Sequence, residues 1–520
     1  MKQKEEKGRK ESLTKKVVRN SIYNFSAELI TKIFSLVFVI IIARLLRPEL
    51  FGLYNIILSV TLIFITFADL GVNTTLIRYV AANIRKKKKA AAYLHYLLKI
   101  KTILVFSIAL IIILIAKPLA VYVFKGPDLF FPFMIAAAYL LFSSFTEFFA
   151  SLFNAFSEFK FKITKEIIWQ VTRLLFTLLL LFLIAKTVVN VSDVLITSDK
   201  ALVLSGAVLA LVLCSFVTLI FIFFITRKRY SSIFIKTKIE RKERKILLRY
   251  VLFLSIAMIS AVFFAYIDTI MLGAILGAEN AEYVGFYRAA YALVMTASGL
   301  IAFGAVLFPV FSQLSFVRVK QAFNRSLRIS LIFSFPIAFG LAFIAKPFIK
   351  IIYGQVYLPA CFPLYILSFL ILTTSFSLYT IFFNAREKPE TPTKFMVIAT
   401  VMNIILNYIL IKSMLKISQL HATLGAAIAT LASNIFLYSA LMIATKKQFK
   451  ISPNIAVFTK PFFASIIMVA FLLAFNRFVG LVWPLAIIEI VLAAAVYFIV
   501  MFLIRGIKKE DFELFKLLRS

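Results

Sequence analysis

Long apolar runs alternate with short polar blocks from one end of this chain to the other. A helix needs about 20 apolar residues to cross the hydrocarbon core of a bilayer. On that measure the pattern predicts fourteen spans, near residues 22–43, 54–77, 102–122, 129–154, 167–185, 201–225, 251–276, 284–311, 329–351, 361–383, 395–411, 421–444, 461–478 and 482–504. The polar blocks between them alternate in charge. With the N-terminus inside, the inner segments hold 45 Lys and Arg, the outer loops and flanks hold 11, and three lie within spans. Every inner segment then obeys the positive-inside rule, and a missed or extra span would reverse the alternation beyond it. The expectation is an all-α polytopic protein of about fourteen transmembrane helices, multi-pass in the cell membrane, with both termini cytoplasmic.

The pattern also repeats. "IAKPLAVYVF" ends one apolar run and "IAKPFIKIIY" ends another; "FGLY" at 51–54 answers "VGFY" at 284–287; "LFNA" at 152–155 answers "FFNA" at 382–385; Thr164-Lys165 answers Thr393-Lys394. The offsets run from 229 to 233, and each pair falls at the same place in its half. Four pairs in register predict two six-helix lobes. Because six is even, both lobes start inside, so they are parallel repeats related by a pseudo-two-fold along the membrane normal. The expected organisation is an N-lobe at 1–225, a basic cytoplasmic linker at 226–250, a C-lobe at 251–445, and two extra C-terminal helices with an amphipathic tail at 446–520.

Composition narrows the function. The chain is 62% hydrophobic and 16% charged over 520 residues, too apolar for a soluble protein. Its net charge of +36 would suggest nucleic acid in a soluble domain, but the basic residues sit in blocks between spans, so topology accounts for them and no nucleic-acid partner is expected. Anionic lipid headgroups at the inner face are the expected neighbours of the linker. The charged first 20 residues and the long run behind them predict an uncleaved first span acting as its own anchor. Cys214 and Cys361 offer no disulfide framework, and His95 and His421 cannot build a metal centre, so neither metal nor cofactor is expected.

Several segments resemble a known family. "ARLLRPELFGLYNI" at 43–56 with "DLGVNTTLIRYVA" at 69–81 is similar to the first hairpin of the polysaccharide-transporter, or Wzx-like, oligosaccharide flippases of the multidrug/oligosaccharidyl-lipid/polysaccharide exporter (MOP) superfamily. "YIDTIMLGAILGAENAEYVGFYRAAY" at 266–291 resembles the matching hairpin of their second half. The resemblance implies a flippase that moves a polyprenyl- or dolichyl-(pyro)phosphate-linked oligosaccharide from the cytoplasmic to the outer leaflet by alternating access, coupled to an ion gradient, with glycan-assembly enzymes as partners. In related lipid-linked peptidoglycan precursor flippases two extra spans form a groove for the lipid tail. The alternatives are a cation-coupled drug or metabolite antiporter of the same superfamily and a membrane glycan polymerase or ligase. An enzyme would need an active site in a sizeable outer loop, and the longest, Lys186 to Lys200, holds only Asp193 and Asp199 as acids.

Ionisable groups inside a bilayer mark a partner, a pathway or a cavity. Lys32 lies ten residues into span 1, roughly 15 Å deep. Asn24, Glu28 and Lys32 share one helix face, so Glu28 either neutralises Lys32 or holds it for the phosphates of a cargo. Arg173 in span 5 and Arg288 in span 8 either line the same cavity, where a guanidinium fork suits phosphate oxygens, or snorkel to an interface. Four carboxylates accompany them: Asp69, Glu147, Asp268 and Glu489. Asp69 reads either as a structural lock pairing with Lys32 or Arg78 or as a carrier of a coupling ion; Asp268 reads either as a partner of Arg288 or, like Glu28 and Glu147, as such a carrier.

Overall fold

Each apolar run becomes a helix because a chain in hydrocarbon must satisfy its own backbone hydrogen bonds. The computed structural model describes the backbone of residues 2–186, 199–235, 237–301, 316–479 and 485–507, and side chains at 31–158, 160–184, 199–235, 237–299, 301, 319–475 and 488–507. Among the described residues there are sixteen α-helices and no strand. In chain order they are α1 (Lys2–Phe67), α2 (Val72–Ala82), α3 (Lys87–Pro118), α4 (Phe130–Ala155), α5 (Phe159–Lys186), α6 (Lys200–Arg229), α7 (Arg241–Leu276), α8 (Ala281–Ile301), α9 (Phe316–Phe343), α10 (Ala345–Ile352), α11 (Cys361–Leu367), α12 (Leu370–Ala385), α13 (Glu390–Leu415), α14 (Gln419–Phe449), α15 (Ala456–Val479) and α16 (Leu485–Leu503). Ten segments are long and apolar enough to span a bilayer, and the pair 355–367 and 370–385, bent by 45°, makes eleven. Expected spans 8 and 14 extend into residues outside the described set. So does the C-terminal tail.

Two expected spans are broken, and two others are joined through a kink. α1 runs through expected spans 1 and 2 but kinks at Arg47 (φ 56°, ψ 173°), where the following Pro48 disfavours helical backbone. Span 2 then stops at Phe67 and resumes at Val72, across Leu70 (φ 45°) and Gly71 (φ 84°). The amides of Ala68, Asp69, Leu70 and Val72 donate to carbonyls three or four residues back, so the break leaves them satisfied. Expected span 10 divides at Ser368-Phe369 into α11 and α12. The two "IAKP" phrases are irregular as well: the first runs into a π-helical turn at Leu119–Val123, and the second opens with a turn at Ile344. Lys117 and Lys346 are both exposed there.

The chain packs as two units, one of Met1–Leu36, Ala289–Ala399 and Ala427–Ser520, the other of Val37–Arg288 and Thr400–Ala426. Within the second, equivalent positions of the repeat meet each other. A methyl group on Gly52 would overlap the Ala281 carbonyl, one on Gly285 would overlap the Pro48 carbonyl, and Asn55 accepts from Arg288. The repeat offset of 233 turns the Gly52–Ala281 contact into the Gly285–Pro48 contact and Asn55 into Arg288, which is the signature of a two-fold contact. Only glycine permits that approach of two backbones. Within the first unit, the helices outside the duplication, α15 and α16, share a core with α9 through Ile332, Met468, Leu472, Ala493, Tyr497 and Met501. Tyr497 Oη donates to the Ile332 carbonyl at 2.8 Å.

Candidate functional site

The stem of Lys32, on α1, lies along Gly299 of α8, where a methyl group would overlap Cδ and stand 2.8 Å from Cε. Its ammonium is 3.5 Å from the Met295 carbonyl, and the side chain is half-buried. The missing side chain of Gly299 therefore forms the slot that takes the lysine. Asn24 and Glu28 lie on the same helix, but their side chains are outside the described residues.

Arg173 sits on α5 with its guanidinium 3.9 Å above the Phe38 ring. One terminal nitrogen donates to Gln170 one turn back. Nε is buried without a hydrogen-bond partner among the described residues, and no carboxylate pairs with the group. Tyr54 and Tyr139 are its electrostatic neighbours, and Tyr139 stacks on Trp169 at 6.2 Å. A cation held by an aromatic face and a neutral amide keeps its charge available to an anion. Arg288, on α8, donates from Nε to Asn55 Oδ1 at 3.3 Å and lies 5.7 Å from the Tyr266 ring centroid.

The carboxylates separate by partner. Asp69, at the break in span 2, accepts from Lys101 Nζ at 2.8 Å and from the Asn73 amide at 3.4 Å. This corrects the expected pairing with Lys32 or Arg78. Lys101 is fully buried in α3, while Arg78 stacks over Tyr250 at 4.7 Å. Glu147 pairs with Lys165 at 2.6 Å, and Lys165 also holds Glu166 at 2.7 Å. Asp268 is buried, accepting from Tyr287 Oη and from the Thr269 amide and hydroxyl. No Lys or Arg forms an ion pair with it among the described residues; Arg288 turns instead to Asn55. Glu489 is buried in α16. Sequence reading missed Lys101, Lys165, Tyr287 and Gly299. For Lys165 the repeated Thr-Lys pair was an available signal.

The repeat reappears in matching turns. After "LFNA" the chain turns through Ser157 (φ 56°), and after "FFNA" through Glu387 (φ 57°), each followed by an amide that reaches back five residues, to Phe153 and Phe383. In the first turn Glu158 accepts from Arg229 at 2.8 Å and from Tyr230 Oη at 3.0 Å. Partial burial works against the Glu158 charge, but these hydrogen bonds outweigh it and hold the carboxyl below its ordinary range. A depressed folded pKa contributes stability that is complete above the ordinary value of about 4 and is lost as pH falls through the lower folded value. Glu158→Gln is therefore expected to lower the thermal midpoint modestly at pH 7 and to leave it less sensitive to acid, as thermal unfolding between pH 7 and 3 would show.

Solved structures share this fold. The lipid II flippase MurJ in an inward-closed conformation superposes with a TM-score of 0.71 at 16% identity, over 92% of this chain and 98% of that one. An inward-facing MATE multidrug resistance transporter of the MOP superfamily gives 0.65 at 16% identity, over 82% and 99%. A MOP superfamily transporter from Pyrococcus furiosus gives 0.59 at 16% identity, over 83% and 97%. The chain thus has the two-lobed helical membrane fold of that superfamily. Residues 17–315 match the polysaccharide biosynthesis protein family model, and the chain belongs to that family. No curated protein matches its sequence.

Proposed function

We propose that this protein is a flippase for a polyprenyl- or dolichyl-(pyro)phosphate-linked oligosaccharide, carrying it from the cytoplasmic to the outer leaflet of the cell membrane by alternating access. The lobes at 1–225 and 251–445 rock about a shared cavity, joined by the basic 226–250 segment, with both termini in the cytoplasm. The observation that carries the reading is Arg173: a guanidinium inside an apolar span, held by Phe38 and Gln170 and, among the described residues, paired with no carboxylate. Such a charge costs several kcal/mol in hydrocarbon and is retained where a water-filled path or an anionic cargo meets it. Membership in the polysaccharide biosynthesis family supports a glycan cargo. An apolar cavity of about 590 Å³ between α12, α14 and the start of α15, lined by Phe376, Tyr438, Ile455 and Phe458, supports a lipid-linked one. Reconstituted into liposomes with a fluorescent undecaprenyl-pyrophosphate oligosaccharide, the protein should expose the probe to the opposite leaflet. Arg173→Gln should slow this about tenfold, the value of one lost charge-assisted hydrogen bond of about 1.5 kcal/mol. Equal rates in empty and protein-containing liposomes would refute the assignment.

Among the described candidates, ion coupling is assigned to Asp268, because Asp69 and Glu147 are paired with Lys101 and Lys165 and the Glu28 side chain lies outside the described residues. A buried carboxyl whose partners are a phenol, a hydroxyl and an amide can take up and release a proton without breaking an ion pair. Asp268→Asn should keep the helix hairpin and abolish the dependence of flipping on an imposed ion gradient. Unchanged dependence would make Asp268 structural.

A further inference from the structure

Arg173 belongs to a group of polar side chains that the helices around it leave unsatisfied. Trp169, Arg173 and Thr177 recur at spacing four along α5 and so share one face. Thr177 is buried, and its Oγ1 has no hydrogen-bond partner among the described residues, as is also true of Arg173 Nε. Tyr54 of α1 and Tyr139 of α4, the electrostatic neighbours of Arg173, are only 3% and 8% exposed. Neither phenol hydrogen-bonds to a described residue. Burying a hydroxyl or a guanidinium nitrogen without a partner is costly, and apolar side chains would fill the same space without that cost. The polar atoms are therefore explained by a ligand that completes them.

Aromatic packing holds these groups in place. The Tyr139 ring stacks on Trp169 at 6.2 Å with the planes 26° apart, and the Phe38 ring carries the Arg173 guanidinium at 3.9 Å. Cys214 Sγ, on α6, donates to the Trp169 carbonyl at 3.2 Å and ties that turn of α5 to its neighbour. The Trp169 side chain itself is only partly buried. One cation, aromatic rings and hydroxyls without partners thus come together on α1, α4 and α5.

A ligand that meets this surface needs an apolar face, a rim of groups that both donate and accept, and an anion close by. A saccharide ring supplies the first two. Its C–H groups suit the negative face of an aromatic ring, and each of its hydroxyls donates and accepts as a phenol or a threonine hydroxyl does. A prenyl chain offers the hydroxyls nothing, a phosphate alone leaves the rings unused, and water satisfies the hydroxyls but not the rings. We propose that Tyr54, Tyr139, Trp169 and Thr177 form a subsite for the sugar ring joined to the cargo's phosphate, so that the protein selects a glycosylated lipid over the bare lipid phosphate. The inference rests on the reading of Arg173 as the phosphate contact, and it gives these four residues the task of specificity.

Binding, measured without transport, tests this. The full chain in a non-ionic detergent is incubated with undecaprenyl pyrophosphate carrying no sugar, one glucose or one N-acetylglucosamine, and retained lipid is quantified by mass spectrometry. At least one glycosylated lipid is expected to be retained about tenfold over the bare one, the worth of one or two hydrogen bonds to sugar hydroxyls. Y54F/Y139F should remove that preference while holding the bare lipid as the unaltered chain does, and T177V should reduce it. Y122F, which deletes an exposed hydroxyl elsewhere, should keep it. R173Q should weaken all three lipids alike. Because the two phenols have no partner among the described residues, Y54F/Y139F should unfold without lipid at a temperature no lower than the unaltered chain. Equal retention of the three lipids, or a preference that survives Y54F/Y139F, would overturn the sugar subsite and leave the flippase proposal standing. A lower midpoint in lipid-free Y54F/Y139F would make the hydroxyls structural and overturn the subsite as well. Retention of none of the lipids would overturn the flippase reading and this one together.

Discussion

Lys32→Gln is expected to abolish translocation while leaving membrane insertion and folding intact. Glutamine is less costly than lysine at the centre of a span, so insertion has no reason to suffer. What disappears is an attraction of about 4 kcal/mol between an ammonium and a phosphate 4 Å apart at an effective dielectric of 20, or about three orders of magnitude in binding. The slot on Gly299 sharpens the test. Gly299→Ala places a methyl group where Lys32 Cδ now lies, so it should displace the ammonium without changing the charge of the protein. If position matters, G299A lowers flipping with Lys32 still present, and Lys32→Arg, longer and with a different fork, restores only part of the rate. Normal flipping by Lys32→Gln in the liposome assay would show that Lys32 takes no part in binding the cargo.

Much of the architecture was legible because hydrocarbon imposes a simple code. Span length, basic loops and the duplicated phrases each follow from a rule that acts on residues close in sequence. The glycines of "FGLY" and "VGFY" carried more than their repetition suggested, since they bring two equivalent backbones together. The breaks were hidden because Leu70 and Gly71 interrupt a run without lowering its hydropathy. Lys101 was hidden for a different reason: at the edge of an apolar run it counts as an interfacial charge, and only the packing of α3 buries it. The partners of Asp268 and Arg288 were beyond reach because they lie 19 and 233 positions away and are neutral. Charge matching on one helix face proposes ions for ions and misses a tyrosine or an asparagine.

Breaking the Asp69–Lys101 pair should be the most destabilising single change in the second unit. Both side chains are almost fully buried, and the carboxylate stands where span 2 interrupts its helix, accepting from Lys101 and from the Asn73 amide that opens α2. Removing one partner leaves the other charged and desolvated, at a cost of about 3–5 kcal/mol, whereas replacing both by apolar groups is close to neutral. Asp69→Leu and Lys101→Met should therefore each sharply lower the thermal midpoint in detergent, and the double variant should recover most of the loss. The double variant also separates two roles. If the pair only locks the break, the recovered protein flips its substrate; if Asp69 exchanges Lys101 for a coupling ion during the cycle, the recovered protein is stable and inactive. Single variants as stable as the unaltered chain would mean that water reaches the pair, and the break at Leu70-Gly71 would then be held by its backbone hydrogen bonds alone.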